Sequence, residues 1–408
     1  MRAAPHLAAG IAGLPSVAKS FAATQAAWRF FSNQRVKLSA LVEPLREVGR
    51  DRSEQLDSKF VLLIQDWSKL SFNWKKDDLA QLTHAADVGY ELTTALLVSP
   101  VDGAPLAPME MHLRTGRGTL STRDEAPIPQ QHLEQVLPTM QASGSWDLSK
   151  PIVHVIDREA DSVRHYRQWD DAGHKFLIRA DDRRVQWNGQ SILLSEISEK
   201  LRENAAFQHC GPAQFRGRDA QLWVAQTEVV LDRPAIKNVQ RRKLEVPGPP
   251  LSLRLVVVQL RNPDDELAAQ WLLLSNVPAD WADAQLLARC YYWRWRIESF
   301  FKLLKSHGHQ VEQWQQESGP AIARRLLVAS MACVMIWQLQ ADRSAESAQL
   351  QAVLVKLSGR QIKRGRAPSA SALLAGLWNL LAMLALLEQY QLSDLKKLAQ
   401  TLPIFNTG

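Results

Sequence analysis

Apolar residues fall in short unbroken runs over residues 56–182 and at helical spacing on either side. The run Phe-Val-Leu-Leu-Ile within 59–65 and the run at 92–98 read as buried strands, and Leu70, Phe72 and Trp74 alternate with polar neighbours like a half-buried strand. Residues 127–142 carry helical spacing, Ile152–Ile156 is another apolar run, 159–172 turn helical, and Lys175–Arg179 reads as a strand. The order strand, strand, strand, helix, strand, helix, strand predicts an α/β core on a mixed sheet. Between 183 and 275 strands dominate, at 221–231, 251–260 and 271–274, around a stiff Pro247-Gly248-Pro249-Pro250 turn, which predicts a β-rich insertion. Helical patterning at 20–28 and 38–48 precedes the core, and from residue 282 the chain reads as helical to its end. The expected division is a helical N-terminal region over 1–55, the first part of the core over 56–182, the β-rich insertion over 183–275, a final core helix within 276–320 and a helical C-terminal region over 321–408.

Composition narrows the classes. Of 408 residues, 46% are apolar and 22% charged, which excludes disorder as the default. A net charge of +7 favours a nucleic-acid partner without requiring one. Cys210, Cys290 and Cys333 are far apart and odd in number, so neither a disulfide framework nor a zinc site is indicated, and a reducing cytoplasm fits. The first residues lack the apolar core and cleavage site of a secretory signal, so export is not expected. The apolar stretches at 326–339 and 372–387 fall short of the roughly 20 residues that cross a bilayer and read as buried helices. Basic clusters at 241–243 and 360–366 are solubilising loops or phosphate contacts; salt dependence of binding separates the two.

The candidate chemistry lies in 291–305. Tyr291, Arg294, Glu298 and Lys305 stand at offsets of three, four and seven, which on one helix puts them within an arc of roughly 60°. Trp293, Ile297, Phe300 and Leu304 fill the opposite face. An acid, two cations and a phenol on one stripe suit a site that holds phosphate and metal together. Two-metal phosphoryl chemistry needs oxygen ligands from several elements, and Asp66 and Asp157, each read at the C-terminal end of a strand, complete such a set with Glu298. Alone, Asp66 is equally a turn residue, Asp157 a helix-start charge, and Glu298 the partner of an Arg294 ion pair worth a few tenths of a kcal/mol. His307 and His309 flank a glycine at a spacing that does not share a helical face, which argues against a metal role. Trp271 reads as core or, if exposed, as a platform for an unpaired base.

Asp157-Arg158-Glu159-Ala160-Asp161 and the spaced Tyr291, Arg294, Glu298 and Lys305 together resemble the DDE transposases of bacterial insertion sequences, in the insertion-sequence-four family. The resemblance extends to Arg294-Trp295-Arg296-Ile297-Glu298 and Trp271-Leu272-Leu273-Leu274 and covers most of the chain from about Gly13. It implies a ribonuclease-H-like, retroviral-integrase-like core with a β-rich insertion between the second Asp and the Glu. It implies Asp66, Asp157 and Glu298 as catalytic residues and metal ligands for two Mg²⁺ or Mn²⁺ ions. Tyr291, Arg294 and Lys305 then map onto phosphate contacts, Trp271 onto the tryptophan that stacks on a flipped base, and Arg179 onto a DNA contact. The implied activity is cut-and-paste transposition: strand nicking, hairpin formation and strand transfer. The implied partners are terminal inverted repeats, target DNA and a second copy of the chain, with neither a membrane nor a small-molecule substrate. The short segment before Gly13 departs from the longer helical start of family members.

Two other readings use the same residues. A ribonuclease-H-like nuclease would cut without joining, and a catalytically silent transposase descendant would bind DNA only.

Overall fold

The structure is a computed structural model of the chain, describing residues 18–72, 77–84, 86–123, 128–239, 242–305, 308–361 and 366–400. The readings placed on Trp74, Arg241, His307 and residues 362–365 lie outside the described residues.

Helices α1 (Ala18–Ser32) and α2 (Leu38–Glu54) lead into β1 (Val61–Leu70), followed by the two-residue β2 (Ala80–Gln81), β3 (Val88–Val98), β4 (Pro105–Thr115) and β5 (Gly118–Ser121). Then come α3 (His132–Ser143), β6 (Ile152–Ile156), a single 3₁₀ turn (Arg158–Ala160), α4 (Val163–Asp171) and β7 (Lys175–Arg179). These strands form one sheet in the order β5-β4-β3-β1-β6-β7. Pairing is antiparallel from β5 to β1 and parallel from β1 through β6 to β7.

The β-rich segment continues that sheet. It contributes β8 (Arg184–Trp187), β9 (Gln190–Leu193), β10 (Gln208–Phe215), β11 (Arg218–Leu231), β14 (Leu251–Arg261) and β15 (Leu267–Ser275), plus a separate hairpin of β12 (Ala235–Val239) and β13 (Arg242–Val246). β15 pairs antiparallel with β7, so thirteen strands are joined. A helix, α5 (Leu194–Glu203), sits within the segment that reads as all strand. Beyond β15 the chain is helical: α6 (Ala284–Tyr292), α7 (Trp295–Leu304), α8 (Gly319–Ala341), α9 (Ala345–Ser358), α10 (Ala370–Leu387) and α11 (Leu392–Gln400).

Strand alternation separates two cores. Leu62, Ile64, Val153, Val155 and Leu177 pack with Ile297, Phe300 and Leu304 of α7 and with Ile322 and Leu326 of α8. Ile156, Phe176 and Ile178 pack oppositely, with Val136, Met140, Tyr166 and Trp169. Because side chains alternate with a period of two, Asp66, Asp157 and Arg179 continue the first series toward α7.

Four expectations change, one of them for α10: the stretch at 372–387, read as a buried helix, lies in α10, which is long and apolar enough to cross a membrane and buries only Ala372, Leu373, Leu374 and Gly376. Asp66 lies inside β1, four residues before its end, because Trp67–Leu70 keep pairing with β3 through Leu70↔Tyr90. The helix expected over 291–305 is two helices meeting at Trp293 and Arg294. The stretch at 326–339 belongs to a 23-residue helix long enough to span a bilayer, but α8 is mostly buried and acts as a core helix, its N-terminal Gly319 N–H held by both Asp78 carboxylate oxygens at 3.1 Å.

Candidate active site

Register brings the first two acids near each other. Ile64 pairs with Val155 as the last pair of the parallel β1–β6 ladder, whose strands lie about 5 Å apart, and Asp66 and Asp157 each follow two residues further on, near enough for the Asp157 charge to act on Asp66. Asp157 directly follows β6, and its Oδ1 accepts the Glu159 N–H at 2.8 Å, capping the 3₁₀ turn. The turn is anchored by Asp161, which accepts from the Tyr166 hydroxyl, from Arg183 and from the Asp181 N–H. Asp161 therefore fixes the loop that carries Asp157, while Glu159 is exposed and lies 3.6 Å from His132 Nε2.

Glu298 arrives from α7, which packs along β1. Between the two helices the hydrogen bonds tighten: Arg294 N–H donates to Tyr291 O at 3.0 Å, Arg296 N–H to Trp293 O at 2.8 Å and Ile297 N–H to Arg294 O at 3.2 Å. These three-residue bonds tighten the chain at the joint between the two helices, and the Tyr291 phenol still meets the Arg294 guanidinium. Tyr291 is buried, its ring 5.4 Å from that of Trp271 in an edge contact. Arg294 comes to lie between two acids: Nη1 donates to Asp66 Oδ2 at 2.7 Å and Nη2 to Glu298 Oε1 at 2.6 Å.

Burial pushes the Asp66 carboxyl up to about 6, outweighing the Arg294 guanidinium on Oδ2 and the Trp67 N–H, which donates to Oδ1 at 2.8 Å; the charges of Asp157 and Glu298 add to the rise. Burial opposes the Arg294 charge too, but Tyr291, Asp66 and Glu298 together raise its pKa above the ordinary value. The Tyr291 phenol is pushed up to about 12, chiefly by burial, with Arg294 and Arg179 pulling the other way and Asp157 adding to the rise.

Asp66, Asp157, Glu298, Arg294, Tyr291 and Arg179 thus share one face of the sheet. Arg179 ends β7 opposite Leu273, two residues from Trp271. Trp271 is buried at 5% exposure, so the stacking on a base that its resemblance implies is not open to it in this arrangement. Lys305 closes α7, and Nζ donates to Lys69 O at 2.6 Å and stands 3.6 Å from Glu312. It is tied to the end of β1 while the acids sit further back along the strand. His309 is fully buried against Cys333 and Trp378. The direct grip of Arg294 on Asp66 was not read from the sequence, since 228 residues separate the two and no local spacing signals it.

Three carboxylates suit a hard divalent cation, and the place between Asp66 and Glu298 already accommodates a positive group, the Arg294 fork. Among the described residues no three acidic or thiol or imidazole groups are close enough to grip one ion as they stand.

The piggyBac transposase synaptic complex with hairpin DNA, a cryo-EM structure, is 12% identical over 84% of this chain, with a TM-score of 0.35; this chain spans 57% of that one. The family model described as the transposase DDE domain matches residues 122–335, just over half of the sequence and inclusive of Asp157 and Glu298. The chain belongs to the transposase DDE domain family.

Proposed function

We propose that this protein is a DNA transposase that cleaves and rejoins DNA strands at a site made of Asp66, Asp157 and Glu298, on a ribonuclease-H-like core. The observation that carries the reading is the approach of Asp157 and Glu298 to Asp66: the charges of both act on the Asp66 carboxyl, and Arg294 links Asp66 directly to Glu298. The strand order β4-β3-β1-β6-β7, antiparallel then parallel, supports the assignment of the core, with β8–β15 as its insertion.

Asp66, Asp157 and Glu298 would hold two Mg²⁺ or Mn²⁺ ions. Such ions, when bound, activate the attacking oxygen and stabilise the departing one in phosphoryl transfer. Arg294 would grip phosphate oxygens with its fork, and Arg179 and Lys305 would add point contacts to the DNA backbone. Tyr291 stays protonated at neutral pH and is therefore a hydrogen-bond donor to an oxygen rather than a base. The sequence of steps in this reading is nicking, attack on the opposite strand to give a hairpin, and strand transfer into target DNA, in the bacterial cytoplasm. Terminal repeats and target DNA are the partners, and a homodimer over 321–408 would pair two ends. Exposed Met383, Leu384 and Leu387 on α10 and Leu392 and Leu398 on α11 support that pairing.

Glu298→Gln keeps the side-chain shape and a hydrogen-bonding oxygen for Arg294. It is expected to abolish Mg²⁺-dependent cleavage while leaving binding to the cognate ends nearly unchanged; retained nicking overturns the site. Supplying pre-cleaved ends with a target plasmid tests joining, and cutting without joining would make the protein a nuclease.

A further inference from the structure

Arg294 is placed as a cation between carboxylates, not as a free hand for substrate. Its two terminal nitrogens donate to two different acids at 2.7 and 2.6 Å, and the residue is only 9% exposed. Its guanidinium also lies 5.5 Å from the Trp295 ring centroid. A planar fork engaged in this way fills the place where a second cation would have to touch both Asp66 and Glu298. Arginine does not lose its proton in proteins, so the fork vacates that place only by moving.

Moving without replacement is costly, because Asp66 would be left as a buried charge with no counter-ion. A phosphate offers the fork the same paired-oxygen geometry that the carboxylates provide. Release of the acids and capture of a phosphate are therefore two sides of one exchange.

We propose that Arg294 is a resident counter-ion that keeps the Asp66–Glu298 site from taking up divalent metal until a DNA phosphate draws its guanidinium away. The inference rests on the reading of Asp66 and Glu298 as metal ligands. Charge is conserved in kind: the fork trades two carboxylate oxygens for phosphate oxygens, and the freed carboxylates accept the metal. By linkage the coupling is reciprocal, so metal strengthens phosphate binding by the factor by which phosphate strengthens metal binding.

The test uses the full chain without DNA, comparing wild type, Arg294→Lys and Arg294→Met. Mn²⁺ binding is read from the loss of the free-ion electron paramagnetic resonance signal, and separately from the Mn²⁺-induced rise in melting temperature. Lysine retains a cation but can reach only one acid at a time, and it guards against a methionine variant that fails to fold. The expected order of affinity is Met above Lys above wild type, with about tenfold between the extremes; a short duplex should tighten Mn²⁺ binding by wild type about tenfold and by the Met variant far less. Equal affinity in all three proteins, lost in Asp66→Asn, overturns the counter-ion role and leaves the ligand reading standing. Absence of Mn²⁺ binding in every protein, or binding indifferent to Asp66→Asn, overturns the ligand reading and the inference with it.

Discussion

Gly103 lies so close beneath Trp293 that a side-chain carbon built at Gly103 would overlap Cδ1 and Cγ of the indole. Gly103 belongs to the turn between β3 and β4, closed by Gly103 N–H donating to Ser99 O at 3.0 Å, and Trp293 stands at the joint that aims Arg294. The turn thus sets the floor on which the α6–α7 joint rests. Gly103 also has φ +68, a strained value for other residues. Gly103→Ala is expected to lose about 1 kcal/mol from backbone strain and roughly 1–3 kcal/mol more from overpacking. Gly189→Ala isolates the strain, since Gly189 has φ +77 and nothing within 4 Å of the added carbon. Urea unfolding of both, beside a nicking assay, should show the larger loss and impaired nicking in Gly103→Ala alone; equal losses would remove the floor.

Two buried groups drive stability in opposite directions with pH. Asp66 is raised from 3.8 to about 6, so between those values the native state holds a proton that the unfolded state has released, and stability falls as pH rises. His154, fully buried near His174 with Nδ1 3.3 Å from Gln65 Nε2, is lowered by burial from 6.5 to about 3. There the unfolded state holds the extra proton, and stability rises with pH until about 6.5. Each slope approaches about 1.4 kcal/mol per pH unit, so from pH 4 to 6 they nearly cancel in the wild type. Arg294 adds no slope, being charged in both states. Asp66→Asn should expose the rise and His154→Leu the fall, measured as unfolding free energy at pH 4, 5 and 6. The Asp66→Asn protein should also be no less stable than wild type at pH 7; a flat profile in both variants would refute the two assignments.

The acids were legible because a strand that ends in a short acidic motif and a helix crowded with aromatics leave local marks. Their company was not. β4 was missed because Pro105, Pro108, Glu110, His112 and Arg114 break the apolar run. Its buried Glu110 and His112 are held in part by each other and by distant partners, Glu110 Oε1 accepting from Thr139 Oγ1 at 2.6 Å and lying 2.7 Å from His112 Nε2. Periodicity registers hydrophobicity and is blind to such a network. Helical offsets likewise brought Arg294 and Glu298 together correctly but assumed 100° per residue through Trp293, where the chain turns more tightly. The continuity of the β-rich segment with the core sheet depends on the β15–β7 ladder, which joins residues nearly a hundred positions apart.

Lys305 separates structural from electrostatic roles. Its Nζ reaches Lys69 O, and glutamine at this position can still donate to a carbonyl, though without charge. Lys305→Gln is expected to stay within about 0.5 kcal/mol of wild-type stability. If Lys305 contacts a phosphate, binding to the cognate end weakens and the slope of log affinity against log salt falls by about 1. An unchanged salt slope in a fluorescence-anisotropy titration would confine Lys305 to fastening α7 onto β1.

Trp271 distinguishes a packing tryptophan from a stacking one. It is 5% exposed within the main core and meets Tyr291 edge-on at 5.4 Å. Truncation to alanine should remove roughly 3–5 kcal/mol of stability, enough to confound any kinetic reading. Phenylalanine retains the edge contact and most of the volume, and should lose less than about 2 kcal/mol. If Trp271 works through Tyr291 and the α6–α7 joint, Trp271→Phe slows nicking and hairpin formation by the same factor, because both steps use one site. Selective loss of hairpin formation in that variant, followed on end-labelled duplexes, would mean that the indole leaves the core during the reaction.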